Sequence, residues 1–354
     1  MKVKVIGIDL AKNVFQVHGV DENGKVVLRK QLRRGQMMDF FAQRVPCLVG
    51  MEACGSAHHW ARQLIKIGYT VKLMAPQFVK PYVKTNKNDA ADAEAICEAV
   101  SRPNMRFVPI KTVDQQAALS VHRARQGFVQ QRTAQANQIR GLLAEYGVVI
   151  PQGIRNIRKC LPEILEDAEN NLPGLFRHLL GQLGEHLKEL DCLVKEMDHQ
   201  IQQWHCNNEA SQRLAAIAGV GPITASAMVA TVGDARNFHN GRQLAAWLGL
   251  VPRQHSTGGK PLLLGISKRG DCYLRTLLIH GARSVIRCSG RKTAILASGD
   301  TKKPSAESTT WLRSLVLRRG TNVAAVALAN KNARVIWALL AHDRHYQRSI
   351  PCPV

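Results

Sequence analysis

Apolar and polar residues alternate with a period of two over three successive stretches at the start of the chain. Val3 to Asp9, Val14 to Val20 and Lys25 to Gln31 each put β-branched residues on one side, which predicts three strands of a meander, the second connection turning at Glu22-Asn23-Gly24. The period then changes. A helix is expected over 35–44, a strand from Cys47 to Glu52, a helix from Ser56 to Ile67, a strand from Tyr69 to Met74 and a helix from Ala90 to Val100. The pattern over 115–159 is helical. Beyond it Phe176, Leu180, Leu183, Leu187, Leu190, Val194, Met197, Ile201 and Trp204 recur at alternating spacings of four and three. Such a heptad suits the seam of a coiled coil and equally the core helix of a single bundle. From Gln212 the chain is helical again, with a break predicted at Ser298 to Thr310, where Gly299, Pro304 and a Ser/Thr cluster interrupt two helical stretches.

Three antiparallel strands followed by alternating helix and strand is the order of a ribonuclease-H-like α/β domain. The expected organisation is that domain over 1–112, a helical, coiled-coil arm over 113–208 and a mostly α domain over 209–354. A chain of 354 residues with 45% hydrophobic content can bury more than one core. It opens directly on a strand, MKVKVIGIDLAK, so no cleaved leader is expected. No uninterrupted apolar run of spanning length is visible. The expectation is a cytoplasmic, nucleoid-associated protein with no membrane partner. Nine scattered Cys, none in a CxxC pair, read as reduced thiols, neither a disulfide frame nor a zinc cluster.

Charge narrows the partner. Lys and Arg number 49 against 26 Asp and Glu, a formal +23, which points to a polyanion and to nucleic acid first. The distribution is uneven. Between Gln115 and Lys159 seven cations face one acid, and Arg125, Arg132 and Arg140 are the candidates there for phosphate contact; from Glu163 to Glu209 ten acids face three cations; from Arg236 to Arg348 twenty cations face four acids.

Against that basic background a few acids stand out. Asp9 ends an apolar strand in Gly7-Ile8-Asp9, Glu52 ends another in Gly50-Met51-Glu52, and Asp89 and Asp92 lie three apart at a helix start, on one face. Asp89 alone would be read as a helix cap. Buried acids at strand ends need positive partners, and four acids from three elements converging on one rim suit Mg²⁺, which takes carboxylate and phosphate oxygens together. Two such ions about 4 Å apart are the arrangement that serves phosphodiester transfer.

Further along, Leu214 to Ala225 reads as helix, glycine turn, helix, a helix-hairpin-helix-like pattern in which Gly219 and Gly221 would let backbone amides reach a phosphate. Two loops rich in Gly, hydroxyls and cations follow: His255-Ser256-Thr257-Gly258-Gly259-Lys260, and Ile266-Ser267-Lys268-Arg269-Gly270. A serine beside Lys260, Lys268 and Arg269 suits attack on phosphorus, although Ser-Thr-Gly-Gly is also ordinary loop composition. His58-His59 and His255 lack the spaced partners of a zinc site.

The strings GIDLAK, MEACGSAHHW and KTNKNDAADAEAI resemble the DEDD transposases of bacterial insertion sequences, the bridge-RNA-guided recombinases, and the similarity continues through Tyr273-Leu274-Arg275, Gly281-Ala282-Arg283 and Ala329 to Arg334. The resemblance implies an N-terminal RuvC-like fold, as in Holliday-junction resolvases, with Asp9, Glu52, Asp89 and Asp92 as metal ligands. It also implies a C-terminal transposase domain whose serine forms a covalent link to DNA. Ser256 is the matching position, in a Ser-Thr-Gly string where the family carries Ser-Gly, and Ser267 is the alternative. The expected partners are DNA (element ends and target), a structured guide RNA and further copies of the chain, as dimer or tetramer. Two other classes fit part of the pattern. A non-catalytic nucleic-acid-binding protein explains the charge but not four convergent acids, and an ATPase of the actin type shares the Gly-Ile-Asp strand but should carry a second glycine-rich phosphate loop, which the N-terminal domain lacks.

Overall fold

The computed structural model describes residues 2–84, 88–296 and 306–347. The chain divides into two compact units, 1–113 and 114–354.

The first unit is a mixed sheet with helices on both faces. Its strands are β1 (Val5–Leu10), β2 (Val14–Val20), β3 (Val26–Arg33), β4 (Leu48–Glu52), β5 (Thr70–Met74) and β6 (Phe107–Val108); its helices are α1 (Met37–Ala42), α2 (Ala57–Lys66), α3 (Pro76–Val79) and α4 (Asp89–Val100). The strand order is β3-β2-β1-β4-β5-β6, with the meander antiparallel, β4 and β5 parallel to β1, and β6 antiparallel to β5. The α/β expectation therefore holds, and the short α3 and β6 are additions to it.

Strand periodicity sorts the side chains to two faces. Ile6, Ile8, Phe15, Val17, Val49, Met51, Val71 and Leu73 meet Phe40, Phe41, Trp60, Ala61 and Leu64 from α1 and α2 in one core. The opposite face takes α4, whose Ala95, Ile96, Ala99 and Val100 pack with Met74 and Val79 and against Val5 and Leu48. After β6 the chain is fastened to α2: Lys111 donates its amide to His58 Nδ1 at 3.2 Å, and its carbonyl accepts from Arg62 at 2.5 Å.

The second unit is mostly helical, as expected: α5 (Val113–Ala144), α6 (Ile154–Glu166), α7 (Gly174–Cys206), α8 (Glu209–Ala215), α9 (Pro222–Val232), α10 (Gly241–Trp247), a small hairpin of β7 (Pro252–Gln254) and β8 (Leu263–Ile266), α11 (Cys272–Leu296) and α12 (Ala306–Ala341), which is interrupted at Gly320. Of the break foreseen at Ser298 to Thr310, 298–305 lie outside the described residues, and 306–310 are not a break but the start of α12.

The heptad stripe of α7 is filled by the chain itself. Phe176, Leu180 and Leu187 are buried with Ala136, Ile139 and Leu143 of α5 and Ile157 and Leu161 of α6, and Val194 and Ile201 are buried further along. Of the two readings of that stripe, a core helix of one bundle describes what is seen within the chain. Asp191, on the same helix and only 6% exposed, is paired with Arg132 at 3.1 Å and also with Arg158. By length and composition, residues 311–341 of α12 could cross a membrane. In this fold Ala324, Ala325, Ala329, Ala333 and Ile336 of that helix are core residues, beside Leu274 and Leu278 of α11.

Candidate metal centre and serine hairpin

Two glycines position the acids. Along β1, Gly7 and Asp9 share a face, and along β4 Gly50 and Glu52 do; the parallel register pairs Gly7 with Gly50 and Ile8 with Met51, so Asp9, one residue before the end of β1, and Glu52, the last residue of β4, lie on neighbouring strands at the same rim. A Cβ on Gly7 would stand 2.7 Å from Cys97 Cβ and closer still to the Ala93 carbonyl, and one on Gly50 would stand 2.7 Å from Val100 Cβ. Hydrogen at both positions lets α4 lie directly on the sheet. The first turn of α4 is thereby brought to the rim where β1 and β4 end.

The cap of α4 is Asn88, whose Oδ1 accepts from the Ala91 amide at 2.7 Å, so Asp89 is not spent on capping. Asp9, Asp89 and Asp92 bring carboxylate oxygens within 4.8 Å of one another, with Asp9 and Asp92 half-buried and Asp89 exposed. Among the described residues this is the group of acids, histidines and cysteines close enough to share an ion. Glu52 lies outside that trio, on the adjoining strand and the same face. Both strand acids act on Cys54, whose thiol is pushed up first by burial and then by the charges of Glu52 and Asp9.

The donor set fits a hard divalent cation. Oxygens held 2.0–2.1 Å from one Mg²⁺ are at most about 4.2 Å apart, so a spread within 4.8 Å needs only small side-chain adjustment. The start of α4 adds no positive side chain of its own: Asp89 and Asp92 are the charges of its first turn, and no ion pair involves either among the described residues.

In the second unit, Ser256 stands on the β7–β8 hairpin, where every residue from 252 to 265 is exposed. Its Oγ accepts from Gln254 Nε2 at 2.8 Å. Ser267 differs: its amide is bonded to the Val251 carbonyl at 2.8 Å, and its Oγ is enclosed without a hydrogen-bond partner. Of the two serines foreseen as candidates, only Ser256 has an accessible hydroxyl. Lys260, Lys268 and Arg269 are all exposed in these loops, with Lys268 in the left-handed region at φ 54°.

Of the remaining expected contacts, all but Gly221 have partners within this unit. Gly219, at φ 85°, has the Gly281 carbonyl of α11 2.8 Å from where its Cβ would stand, whereas Gly221, the residue before α9, has nothing within 4 Å. Arg125 pairs with Asp198, Arg132 with Asp191, and Arg140 donates to the carbonyls of Pro151 and Gly153. The three guanidinium groups expected at phosphates each have a partner within this unit.

Sequence reasoning also passes over a buried network in this unit. His122, 1% exposed on α5, has Nε2 3.0 Å from Ser226 Oγ on α9 and Nδ1 3.0 Å from the Tyr273 hydroxyl on α11. Ser226 donates its own proton to the Pro222 carbonyl, which leaves Nε2–H to donate to Ser226 and Nδ1 to accept from Tyr273. Burial, with the nearby Arg125 adding to it, lowers the His122 pKa to about 4. A lone His in a helical run gives no sign of such partners.

Comparison with known proteins agrees with the geometry. Residues 6–148 match a family model for DEDD transposases described as Transposase, and residues 211–296 match one described as Transposase IS116/IS110/IS902 family. A probable family 20 transposase of Pseudomonas aeruginosa is 54% identical, over 98% of this chain and 99% of its own length. The transposase for insertion sequence element IS1111A of Coxiella burnetii is 45% identical over 98% and 92%, and that for IS1328 of Yersinia enterocolitica 42% identical over 95% and 96%. An acid rim on an α/β sheet, followed by a mostly helical region, accords with these matches over nearly the whole length: the chain belongs to the IS116/IS110/IS902 family of transposases, of the DEDD type.

Proposed function

We propose that this transposase cuts and rejoins DNA strands at the ends of an insertion sequence and at its target, with a structured RNA choosing the sites by pairing. Asp9, Glu52, Asp89 and Asp92 hold Mg²⁺ in this reading, as two ions, and Ser256 is the nucleophile. The observation that carries it is the approach of Asp9, Asp89 and Asp92 to within 4.8 Å in a chain of charge +23. A protein that merely coats nucleic acid gains nothing from carboxylates gathered where they repel phosphates.

A bound divalent cation would supply neutralisation of the phosphate and an acidified attacking hydroxyl. The protein's own groups do the rest. Ser256 Oγ forms a bond to phosphorus as the bond to the departing deoxyribose oxygen breaks; the hydroxyl gives up its proton and the departing oxygen gains one, so the phosphodiester is conserved as a serine ester and the strand can be resealed. Gln254 holds the hydroxyl as a donor to it, leaving the serine proton free to depart. Lys260, Lys268 and Arg269 offset the negative charge on the phosphoryl oxygens in the transition state. At the helix-hairpin-helix-like turn Gly221 is the glycine that can admit a phosphate, since Gly219 is filled by Gly281. The organisation we propose is a nuclease-like domain over 1–112, an arm over 113–208 and a serine-bearing domain over 209–354, with assembly of copies through the outer, not the buried, faces of the arm's coiled-coil-like helices.

The test is direct. Asp9→Asn, Glu52→Gln, Asp89→Asn and Asp92→Asn should each abolish recombination and weaken Mg²⁺ binding by calorimetry while the fold survives. Ser256→Ala should keep metal and DNA binding yet yield no protein–DNA adduct on denaturing gels. Full strand exchange by Asp9→Asn would defeat the metal assignment; an adduct from Ser256→Ala that disappears in Ser267→Ala would move the nucleophile; cleavage untouched by both serine changes would leave a resolvase-like nuclease that activates water.

A further inference from the structure

The hairpin that carries Ser256 has no packing of its own to hold it. All residues from 252 to 265 are exposed, Leu262, Leu263 and Leu264 among them, and an isolated two-stranded ribbon is marginally stable in water. Its direction must be set at its base. There the incoming stem, Trp247 to Val251, lies against the outgoing stem, Ser267 to Gly270, at backbone contact. Lys268 donates its amide to the Gly249 carbonyl at 3.2 Å, and Ser267 donates to Val251 at 2.8 Å. A Cβ on Gly249 would stand 2.6 Å from the Arg269 nitrogen, and one on Gly270 would strike the Trp247 carbonyl; both glycines are in the left-handed region, at φ 71° and 72°.

One side chain grips both stems. Arg275, in the first turn of α11 and 8% exposed, donates from one terminal nitrogen to the Leu248 carbonyl at 3.1 Å and to the Arg269 carbonyl at 2.9 Å. Among the described residues no carboxylate pairs with it. A buried cation held by carbonyl dipoles alone is a poor source of stability compared with an apolar side chain of similar size. The two N–H bonds of that one nitrogen are, however, held in the guanidinium plane, which fixes the directions of the two carbonyls in a way a freely rotating ammonium does not.

We propose that Arg275 is the positioning residue of the serine hairpin, bridging the carbonyls of Leu248 and Arg269 so that the hairpin leaves the helical core at one angle and Ser256 is presented to the scissile phosphate. The proposal rests on the assignment of Ser256 as nucleophile, and its test separates the two. Arg275→Met and Arg275→Lys would be made in the full chain, beside Ser256→Ala. Hydrogen exchange should quicken about tenfold or more at the amides of Ser267 and Lys268, which close the stems, while α9 and α12 keep their protection. On duplex DNA carrying an element end, adduct formation should slow by about tenfold or more in both variants with DNA affinity unchanged, because the lysine ammonium, though it has three protons to donate, falls one bond short of the terminal nitrogen that bridges the two carbonyls and lacks the planar group that fixes the direction of its bonds. A further variant, Arg275→Ala, should regain part of the rate when guanidinium ion is added. Equal exchange in variant and parent, or exchange that rises alike throughout the unit, would overturn the proposal; so would full activity in Arg275→Lys. Should Arg275→Met fail to fold, Arg275→Lys carries the same readings. An adduct from Ser256→Ala would remove the serine assignment alone, and the exchange pattern would then decide the role of Arg275.

Discussion

Gly7 does as much for the acid rim as the acids themselves. Its replacement by Ala sets a methyl against the Ala93 carbonyl and Cys97, so α4 must lift. The expected cost is about 1–3 kcal/mol of overpacking, seen as a lower melting temperature, together with a loss of Mg²⁺ binding out of proportion to the loss of stability, since Asp89 and Asp92 move away from Asp9. A Gly7→Ala protein that keeps its metal affinity would contradict this account of the site. His122 gives a second test at this scale. Its pKa falls from 6.5 in the unfolded chain to about 4 in the fold, so above pH 6.5 both states are neutral and stability is complete; as pH falls from 6.5 to 4 only the unfolded state takes up the proton, and about 3 kcal/mol is lost. Urea melts of the parent and of His122→Gln across that range should diverge, the variant being less stable at neutral pH but flatter against pH. The acids are legible in the sequence because each strand acid ends an apolar run, where a carboxylate needs a reason. Asn88 is not legible as the cap, because Asp and Asn are equally good caps and only the fold shows which one turns back on the helix.

Among the elements, α7 shows where pattern stops short. The spacing of its apolar residues identifies the helix and its buried stripe correctly, but a heptad does not say whose side chains fill it, and here α5 and α6 of the same chain do. Leu190, 2% exposed, is therefore a stability position. Leu190→Glu should unfold the bundle, lowering helical ellipticity and melting temperature by the same amount at all protein concentrations, whereas an oligomer seam would give a concentration-dependent shift. Asp191 makes a related case. Two guanidinium groups close on its buried carboxylate, and its replacement by Ala leaves both without their counter-charge. Removal of one partner from a buried pair costs about 3–5 kcal/mol, and because Arg158 is 46% exposed and Arg132 24%, a loss of about 2 kcal/mol is the expected reading from chemical denaturation. The strands of the first unit are legible almost to their ends, since period-two alternation and turn residues coincide there; β6, two residues long, carries too little pattern to be seen.

For the whole molecule, the net charge of +23 reads correctly as a surplus of cations, but composition cannot tell which of them face solvent. Arg125, Arg132 and Arg140 have partners within the bundle, whereas Lys260, Lys268 and Arg269 stand exposed in and beside the serine hairpin, and it is these three that we propose meet DNA. Replacing those three by Gln should reduce the slope of log affinity against log salt by roughly 0.9 for each phosphate of duplex DNA that is no longer neutralised, while Arg132→Gln should leave the slope alone and lower stability. The first unit, with cores on both faces of its sheet and its last residues fastened to α2 through Lys111, should fold when residues 1–113 are expressed alone, and calorimetry on that fragment should still register Mg²⁺. The seating of α4 on bare glycine also bears on how such genes decay. The proposed site can be lost without losing an acid: one base change that turns Gly7 or Gly50 into a larger residue leaves all four carboxylates in the reading frame while displacing α4, and with it the approach of Asp89 and Asp92 to Asp9. Genomic copies that keep Asp9, Glu52, Asp89 and Asp92 but not both glycines should therefore be fossils, and a mobility assay on a set of them should find none that still move.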